Sequence, residues 1–149
     1  MHNLDNLIPQ KPPMRFIDKL IGFKNETVHC RTTITDKHLL FCTDKKSIPH
    51  WTAIEIMAQT AAAHGKLKVI DVESDPPIAF LLSIRNYVTT VTQYMQNSIL
   101  DIYAEYIVSD NGTGVFTCTI QVNGVETASV TVNAHQPQNS YDAQKITTR

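Results

Sequence analysis

The chain has 149 residues, of which 42% are hydrophobic and 18% are charged, and its formal net charge is −1. This length allows one globular domain whose core needs neither disulfides nor a metal, and the charge gives no reason to expect nucleic acid or an anionic membrane as a partner. Cys30, Cys42 and Cys118 lack metal-ligand or redox spacing, and no apolar run reaches the length of a membrane span. The polar first residues lack the apolar core of a signal peptide. We therefore expect a cytoplasmic protein with free thiols, without a metal or another cofactor.

Residues 1–46 predict an irregular lead-in, one strand and a polar connection. Residues 1–13 include three prolines, which exclude a helix across them, and residues 14–23 form an apolar segment that fits a short strand or a helical turn. Apolar and polar residues alternate over residues 27–35, which is the pattern of a half-buried strand. Residues 36–46 are mostly polar, so we expect them to connect this strand to the next element.

Residues 47–65 predict the long helix around which the rest of the chain folds. Apolar and small residues recur at helical spacing and cover nearly every face: Trp51, Ile54, Ile56, Met57, Ala58, Ala61, Ala62, Ala63 and Gly65. A surface helix keeps a polar face, so a helix without one is expected to lie buried among other elements. We expect it to end between residues 69 and 71. Glu55 is the only carboxylate in this apolar segment, which makes it the first candidate for a functional role.

Four β segments follow the helix and complete an α+β fold. They span residues 78–91, 98–108, 115–122 and 125–134. The pair Asn123-Gly124 between the last two segments is a strong signal for a tight hairpin. One long apolar helix wrapped by one curled antiparallel sheet is the hot-dog fold. We expect a single domain over residues 1–137 and a polar, disordered tail over residues 138–149.

Two blocks of the sequence resemble a known family. Residues 49–59, PHWTAIEIMAQ, resemble the helix motif of bacterial 3-hydroxyacyl-acyl-carrier-protein dehydratases, which runs Pro-Gly, four mostly apolar residues, Glu, any residue, Met-Ala-Gln. Residues 8–18, IPQKPPMRFID, are similar to the same family's Leu-Pro-His…Pro…Asp block. The second half, with residues 110–118 and 133–137, looks like the small subgroup encoded in bacterial aryl-polyene pigment gene clusters. The likeness covers about residues 4–137.

The resemblance implies a lyase that removes water from 3-hydroxyacyl thioesters in aryl-polyene or fatty-acid-type lipid biosynthesis. It assigns Glu55 to the family's catalytic carboxylate. The family's catalytic histidine occupies position 10, which here is Gln10, and a glutamine amide neither takes up nor releases a proton near neutral pH. The family's glycine whose backbone N–H holds the thioester oxygen is here His50.

The resemblance also implies partners. In family members the active site lies between two subunits, with the histidine from one and the carboxylate from the other. Loss of the histidine alone leads to the hypothesis that this chain pairs with a second hot-dog dehydratase subunit and donates Glu55 to that partner's histidine. An acyl carrier protein would present the substrate on its phosphopantetheine arm. The expected substrate-binding residues are His50, Trp51, Gln59 and Arg85.

Structural roles remain open for these residues at this point. Thr52-x-x-Glu55 is a capping-box pattern, in which Glu55 would bond the start of the helix. His50 fits a packing or capping residue as well as a displaced base. Gln59 fits a side chain that satisfies buried backbone groups as well as one that bonds across a subunit boundary, and Arg85 fits an exposed sheet face.

Two other functions also remain open. A hot-dog acyl thioesterase would activate water with Glu55 and would not need a histidine at position 10. A non-catalytic acyl-binding or structural subunit would use the helix pocket to hold an acyl chain without chemistry. Hydrolysis of acyl thioesters by the pure chain separates the thioesterase from the dehydratase, and a Glu55 substitution without effect favours the binding module.

Overall fold

The computed structural model describes residues 3–67, 80–110 and 113–135. The predicted tail and the predicted end of the long helix lie outside these residues. Neither described helix is long and apolar enough to cross a bilayer. The elements follow one another as α1 (Leu4–Leu7), β1 (Lys19–Lys24), β2 (Thr27–Thr33), β3 (Ser47–Pro49), α2 (Thr52–Leu67), β4 (Phe80–Thr89), β5 (Gln93–Met95), β6 (Ile99–Asp110), β7 (Thr113–Val122) and β8 (Val125–His135).

Six strands form one antiparallel sheet in the order β1-β2-β6-β7-β8-β4, and β3 pairs with β5 in a separate two-stranded ribbon. Side chains alternate along the strands, so that one face of the sheet is buried and apolar. This face includes Val28, Cys30, Leu100, Ile102, Ala104, Phe116, Cys118 and Ile120. Helix α2 packs across it against β2, β6, β7 and β8. The predicted hot-dog fold, with one long helix inside a curled antiparallel sheet, is confirmed.

Helix α2 begins at Thr52 rather than at Ser47. The preceding Ser47–Pro49 form β3, whose residues pair with Gln93–Met95 of β5. The sequence pattern did not predict β5, because a strand of 3 residues is too short to show alternation. The start of the helix is therefore set by a long-range pairing.

One side of α2 lies on the sheet and is fully buried, with Ala53, Ile56, Met57, Thr60, Ala61, Ala63 and His64. The helix is thus buried as predicted on this side. A second apolar stripe is only partly buried and consists of Ile54, Ala58, Ala62 and Gly65. Trp51, just before the helix, is 53% exposed. The single chain therefore leaves an apolar side of its central helix partly open.

The lead-in contains a short helix, α1, that the prediction of an irregular segment missed. Asn3 caps it, because the Asn3 side chain accepts a hydrogen bond from the backbone N–H of Asp5 at 2.9 Å. The prolines follow this helix rather than interrupt it. The predicted hairpin at Asn123-Gly124 is confirmed: both residues have left-handed φ angles, +53° and +78°, as a tight two-residue turn requires.

The three cysteines are free thiols, as predicted. Burial raises the pKa of Cys30 and of Cys118 to about 12, and a hydrogen bond with Thr60 opposes this shift at Cys30. A buried thiol with such a pKa is not a nucleophile near neutral pH. Cys30 and Cys118 therefore belong to the core rather than to a reactive site.

His38, in the loop after β2, is held as a neutral imidazole. The backbone N–H of Leu40 donates to its Nδ1 at 3.0 Å, and its ring packs against Phe16 with the centroids 4.4 Å apart. Burial lowers the pKa of His38, although the negative charge of Asp18 opposes this shift. The folded chain therefore binds a proton at this position less readily than the unfolded chain does.

We expect the protein to lose stability as the pH falls below 6.5, the ordinary pKa of the His38 imidazole, because the unfolded state then binds a proton that the folded state resists. This stabilisation is complete above that pH and disappears towards the lower folded-state pKa. His38→Asn keeps an acceptor for Leu40 and removes the titrating group, so the free energy of unfolding should depend less on pH. Urea unfolding at about pH 7.5 and about pH 5.5 measures the difference. An equal pH dependence of both proteins would show the assignment to be wrong.

Candidate active site

The start of α2 offers two backbone donors that have no acceptor among the described residues. The N–H of Ala53 donates to the carbonyl of His50 at 2.9 Å, and the N–H of Ile54 donates to the carbonyl of Trp51 at 3.2 Å. The N–H groups of Trp51 and Thr52 have no acceptor in the described part of the chain. Because the helix dipole adds partial positive charge there, this end of α2 can bind a carbonyl oxygen that gains negative charge.

The backbone N–H of His50 is already used, since it donates to the carbonyl of Thr92 at 3.1 Å. The family resemblance assigns the N–H at this position to the thioester oxygen. Among the described residues, the N–H groups without an acceptor lie one and two residues further along, at Trp51 and Thr52. The N–H that the resemblance assigns to the thioester oxygen is therefore already engaged in the structure.

Glu55 lies in the first turn of α2 and is half-buried. Its Oε1 accepts a hydrogen bond from Gln59 Nε2 at 3.0 Å. The capping-box alternative is not realised, because neither the buried hydroxyl nor the N–H of Thr52 has a hydrogen-bond partner among the described residues. The Glu55 carboxylate is thus oriented by Gln59 and remains available at the start of the helix.

Gln59 is buried, with 1% of its surface exposed, and uses both atoms of its amide. Its Oε1 accepts from the N–H of Phe16 at 2.8 Å, and its Nε2 donates to the carbonyl of Met14 at 2.9 Å as well as to Glu55. The side chain therefore holds the lead-in segment on the central helix, which is the backbone-satisfying role left open above. Its part in substrate binding stays a prediction.

Gln10 lies between α1 and β1 and is half-buried. Its Oε1 is buried and accepts no hydrogen bond from a described residue. No hydrogen bond joins it to Glu55 or to His50 within the residues that the structure describes. A carboxamide offers hydrogen bonds but no proton acceptor of useful basicity, so position 10 supplies no base in this chain.

Tyr87 of β4 holds His50 at the start of the helix. Its hydroxyl lies 2.9 Å from the carbonyl of His50 and 3.0 Å from His50 Nδ1, and the two rings stack with their centroids 5.9 Å apart. Asn86, at φ +57°, forms a bulge in β4 that turns Tyr87 towards His50. No local sequence pattern signals this contact, because it joins residues 37 positions apart.

Trp51 and Arg85, the other two predicted substrate-binding residues, are exposed. Arg85 forms no ion pair with a described residue, and its part in binding, like that of Trp51, stays a prediction. A surface cavity of about 410 Å³ lies elsewhere, between the lead-in and the loop after β2, and includes Arg15, Phe16 and His38. Among the described residues, no group of His, Cys, Asp and Glu side chains is placed to hold a metal.

Comparison with known proteins identifies a matching family and similar structures. The model of the ApeP-like family, described as ApeP dehydratase, matches residues 2–148. A search of curated proteins found no match. A chain of the dehydratase heterocomplex ApeI:P from Xenorhabdus doucetiae is similar in structure, with 26% sequence identity, a TM-score of 0.81 and 98% of each chain covered.

More distant structures share the fold alone. The virulence protein Cj0977 from Campylobacter jejuni has 8% identity and a TM-score of 0.66, with 87% of this chain and 82% of that chain covered. A hypothetical thioesterase from Streptococcus pneumoniae, solved with coenzyme A, has 13% identity and a TM-score of 0.59, with 79% and 86% covered. The family model, by contrast, spans nearly the whole sequence. The chain therefore belongs to the ApeP-like dehydratase family.

Proposed function

We propose that this chain is the dehydratase-like subunit of a cytoplasmic hetero-oligomer that removes water from 3-hydroxyacyl thioesters on an acyl carrier protein, in aryl-polyene or fatty-acid-type synthesis. The observation that carries the proposal is Glu55, held by Gln59 in the first turn of α2, in a dehydratase family member. The N–H groups of Trp51 and Thr52 at the start of this helix have no acceptor among the described residues. No cofactor is needed for this reaction.

The elimination requires three groups. A base removes the proton from C2, an acid protonates the hydroxyl that leaves C3, and hydrogen-bond donors stabilise the developing enolate oxygen. Trp51 and Thr52 supply the donors, and Glu55 supplies the acid. The C2–H bond and the C3–O bond break, so the products are the enoyl thioester and water. Gln10 cannot act as the base, which leaves this half of the site incomplete in the single chain.

A histidine of a second hot-dog subunit supplies the base. The similarity to a chain of a dehydratase heterocomplex supports this pairing. The two ends of the sheet also differ: β1 has 6 residues and a lysine at each end, whereas β4 has 10 residues and exposes Ile84 and Val88 by 38% and 57%. A longer edge offers more unpaired backbone groups to another strand, and lysines at a short edge resist pairing. A subunit on β4 would lie beside Tyr87 and His50, near the start of α2.

A partner subunit on β4 also gives roles to the apolar stripe near Trp51 and to Arg85. The partly open stripe of α2 that begins near Trp51 is an apolar surface that a second subunit or an acyl chain would cover. Arg85 is exposed on β4 and has no carboxylate partner in the described residues, so it is free to bind the phosphate of the phosphopantetheine arm. Carrier protein and partner subunit would then meet at one edge of the sheet.

The test is a dehydration assay on a 3-hydroxyacyl carrier protein with the purified chain, with a histidine-bearing hot-dog protein encoded beside its gene, and with both together. We expect little turnover by this chain alone and rapid turnover by the mixture. Full dehydratase activity of a homodimer would refute the shared site. Release of the free acid and the carrier thiol would indicate a thioesterase. No turnover by the mixture would indicate an acyl-binding subunit.

A further inference from the structure

The hydrogen bonds of Tyr87 determine which nitrogen of His50 carries the proton. A backbone carbonyl can only accept, so the single proton of the Tyr87 hydroxyl is donated to the carbonyl of His50. Burial raises the pKa of Tyr87, so the hydroxyl keeps this proton near neutral pH. The contact between Tyr87 and His50 Nδ1 then requires that Nδ1–H donates to the hydroxyl oxygen. Nε2 of the neutral ring is left as a bare hydrogen-bond acceptor.

His50 Nε2 is available to a ligand. It makes no hydrogen bond with a described residue, and the His50 side chain is partly exposed. The contacts of other histidines differ: Nε2 of His64 donates to Glu26 and Nε2 of His29 donates to Asp101. His50 is therefore placed to receive a hydrogen bond at the start of α2.

The 3-hydroxyl is the donor that fits this acceptor. A thioester group carries no hydrogen-bond donor, and neither does the enoyl product near its double bond. If the N–H groups of Trp51 and Thr52 hold the thioester oxygen, C3 lies two bonds from the carbonyl carbon. His50 immediately precedes Trp51 in the chain. Glu55 lies in the first turn of α2, which begins two residues after His50.

We propose that His50 Nε2 accepts the hydrogen bond of the substrate's 3-hydroxyl and so selects the 3-hydroxyacyl thioester over its saturated and enoyl counterparts. This inference rests on the proposed function. The hydroxyl donates its proton to His50, which leaves its oxygen lone pairs facing the acid, Glu55. The enoyl product has no hydroxyl and loses this contact when it forms. His50 thus binds the substrate, and Tyr87 is a positioning residue that sets the tautomer.

Binding is measured by calorimetry on the hetero-oligomer with two non-hydrolysable probes, a 3-hydroxyacyl pantetheine amide and the saturated acyl pantetheine amide of equal length. We expect the wild type to bind the hydroxylated probe about tenfold more tightly, the effect of one hydrogen bond. His50→Phe should abolish this preference without weakening the saturated probe, and His50→Gln should retain part of it. His29→Gln, at a histidine that pairs with Asp101 away from the site, is the matched control.

A preference that survives in His50→Phe would overturn the inference while leaving the dehydratase proposal intact. If the wild-type complex binds neither probe and dehydrates no 3-hydroxyacyl carrier, the proposed function itself fails. A second measurement does not depend on activity: nitrogen-15 NMR should show an unprotonated Nε2 for His50 in the wild type and a mixture of tautomers in Tyr87→Phe. A protonated Nε2 in the neutral wild-type ring would also overturn the inference.

Discussion

Glu55→Gln is expected to lower the kcat of the hetero-oligomer by about 10²–10⁴-fold, the contribution of a positioned acid or base. The amide has the same shape as the carboxylic acid and keeps an oxygen that accepts the hydrogen bond from Gln59, so the fold should be retained. It cannot release a proton to the leaving hydroxyl. The measurement is kcat with a saturating 3-hydroxyacyl carrier protein, together with the thermal midpoint of each variant.

Glu105→Gln is the matched control, because Glu105 lies exposed on the outer face of β6, in the register of Thr27 and Thr117. This variant should retain the kcat of the wild type. If Glu55→Gln also retained it, in a complex that still assembles, the carboxylate would have no chemical role and the non-catalytic binding module would be favoured. Equal losses in both variants would indicate a general effect of charge.

Gln59→Leu is expected to reduce the free energy of unfolding by about 2–4 kcal/mol. The substitution leaves the buried N–H of Phe16 without its partner, which costs about 1–3 kcal/mol, and the partly buried carbonyl of Met14 loses a smaller amount because water reaches it. The substitution also removes the donor that orients Glu55. Urea unfolding measures the loss, and hydrogen exchange at Phe16 should become faster if the lead-in detaches from α2.

Gln121→Leu is the matched control for this experiment, since Gln121 is partly exposed on β7 and its side chain makes no hydrogen bond with a described residue. Its free energy of unfolding should change by less than about 0.5 kcal/mol. Gln59→Glu tests the two amide atoms separately. It keeps an oxygen that accepts from the N–H of Phe16, and it replaces the nitrogen that donates to the carbonyl of Met14 by a carboxylate oxygen. We expect it to be as destabilising as Gln59→Leu. A loss below about 1 kcal/mol in both Gln59 variants would show that the lead-in does not depend on this side chain.

The sequence predicted the fold where local pattern and tertiary structure agree. Alternation over residues 27–35 became β2, and Asn123-Gly124 became a turn because few residues adopt two successive left-handed conformations. The start of α2 was predicted too early. The local sequence of Ser47–Pro49 is compatible with a helix or a strand. These residues form a strand because they pair with Gln93–Met95.

The sequence by itself determined the fold class, the family motif around Glu55 and the absence of a base at position 10, because each depends on residue type and short spacing. The tertiary structure decided what these residues contact. Phe16 and Gln59 are 43 positions apart, and His50 and Tyr87 are 37 positions apart, so their hydrogen bonds leave no periodic signal in the chain. Which amides are free at the start of α2, and which nitrogen of His50 is bare, follow from such long-range contacts. Those contacts exist only once the sheet has closed around the helix.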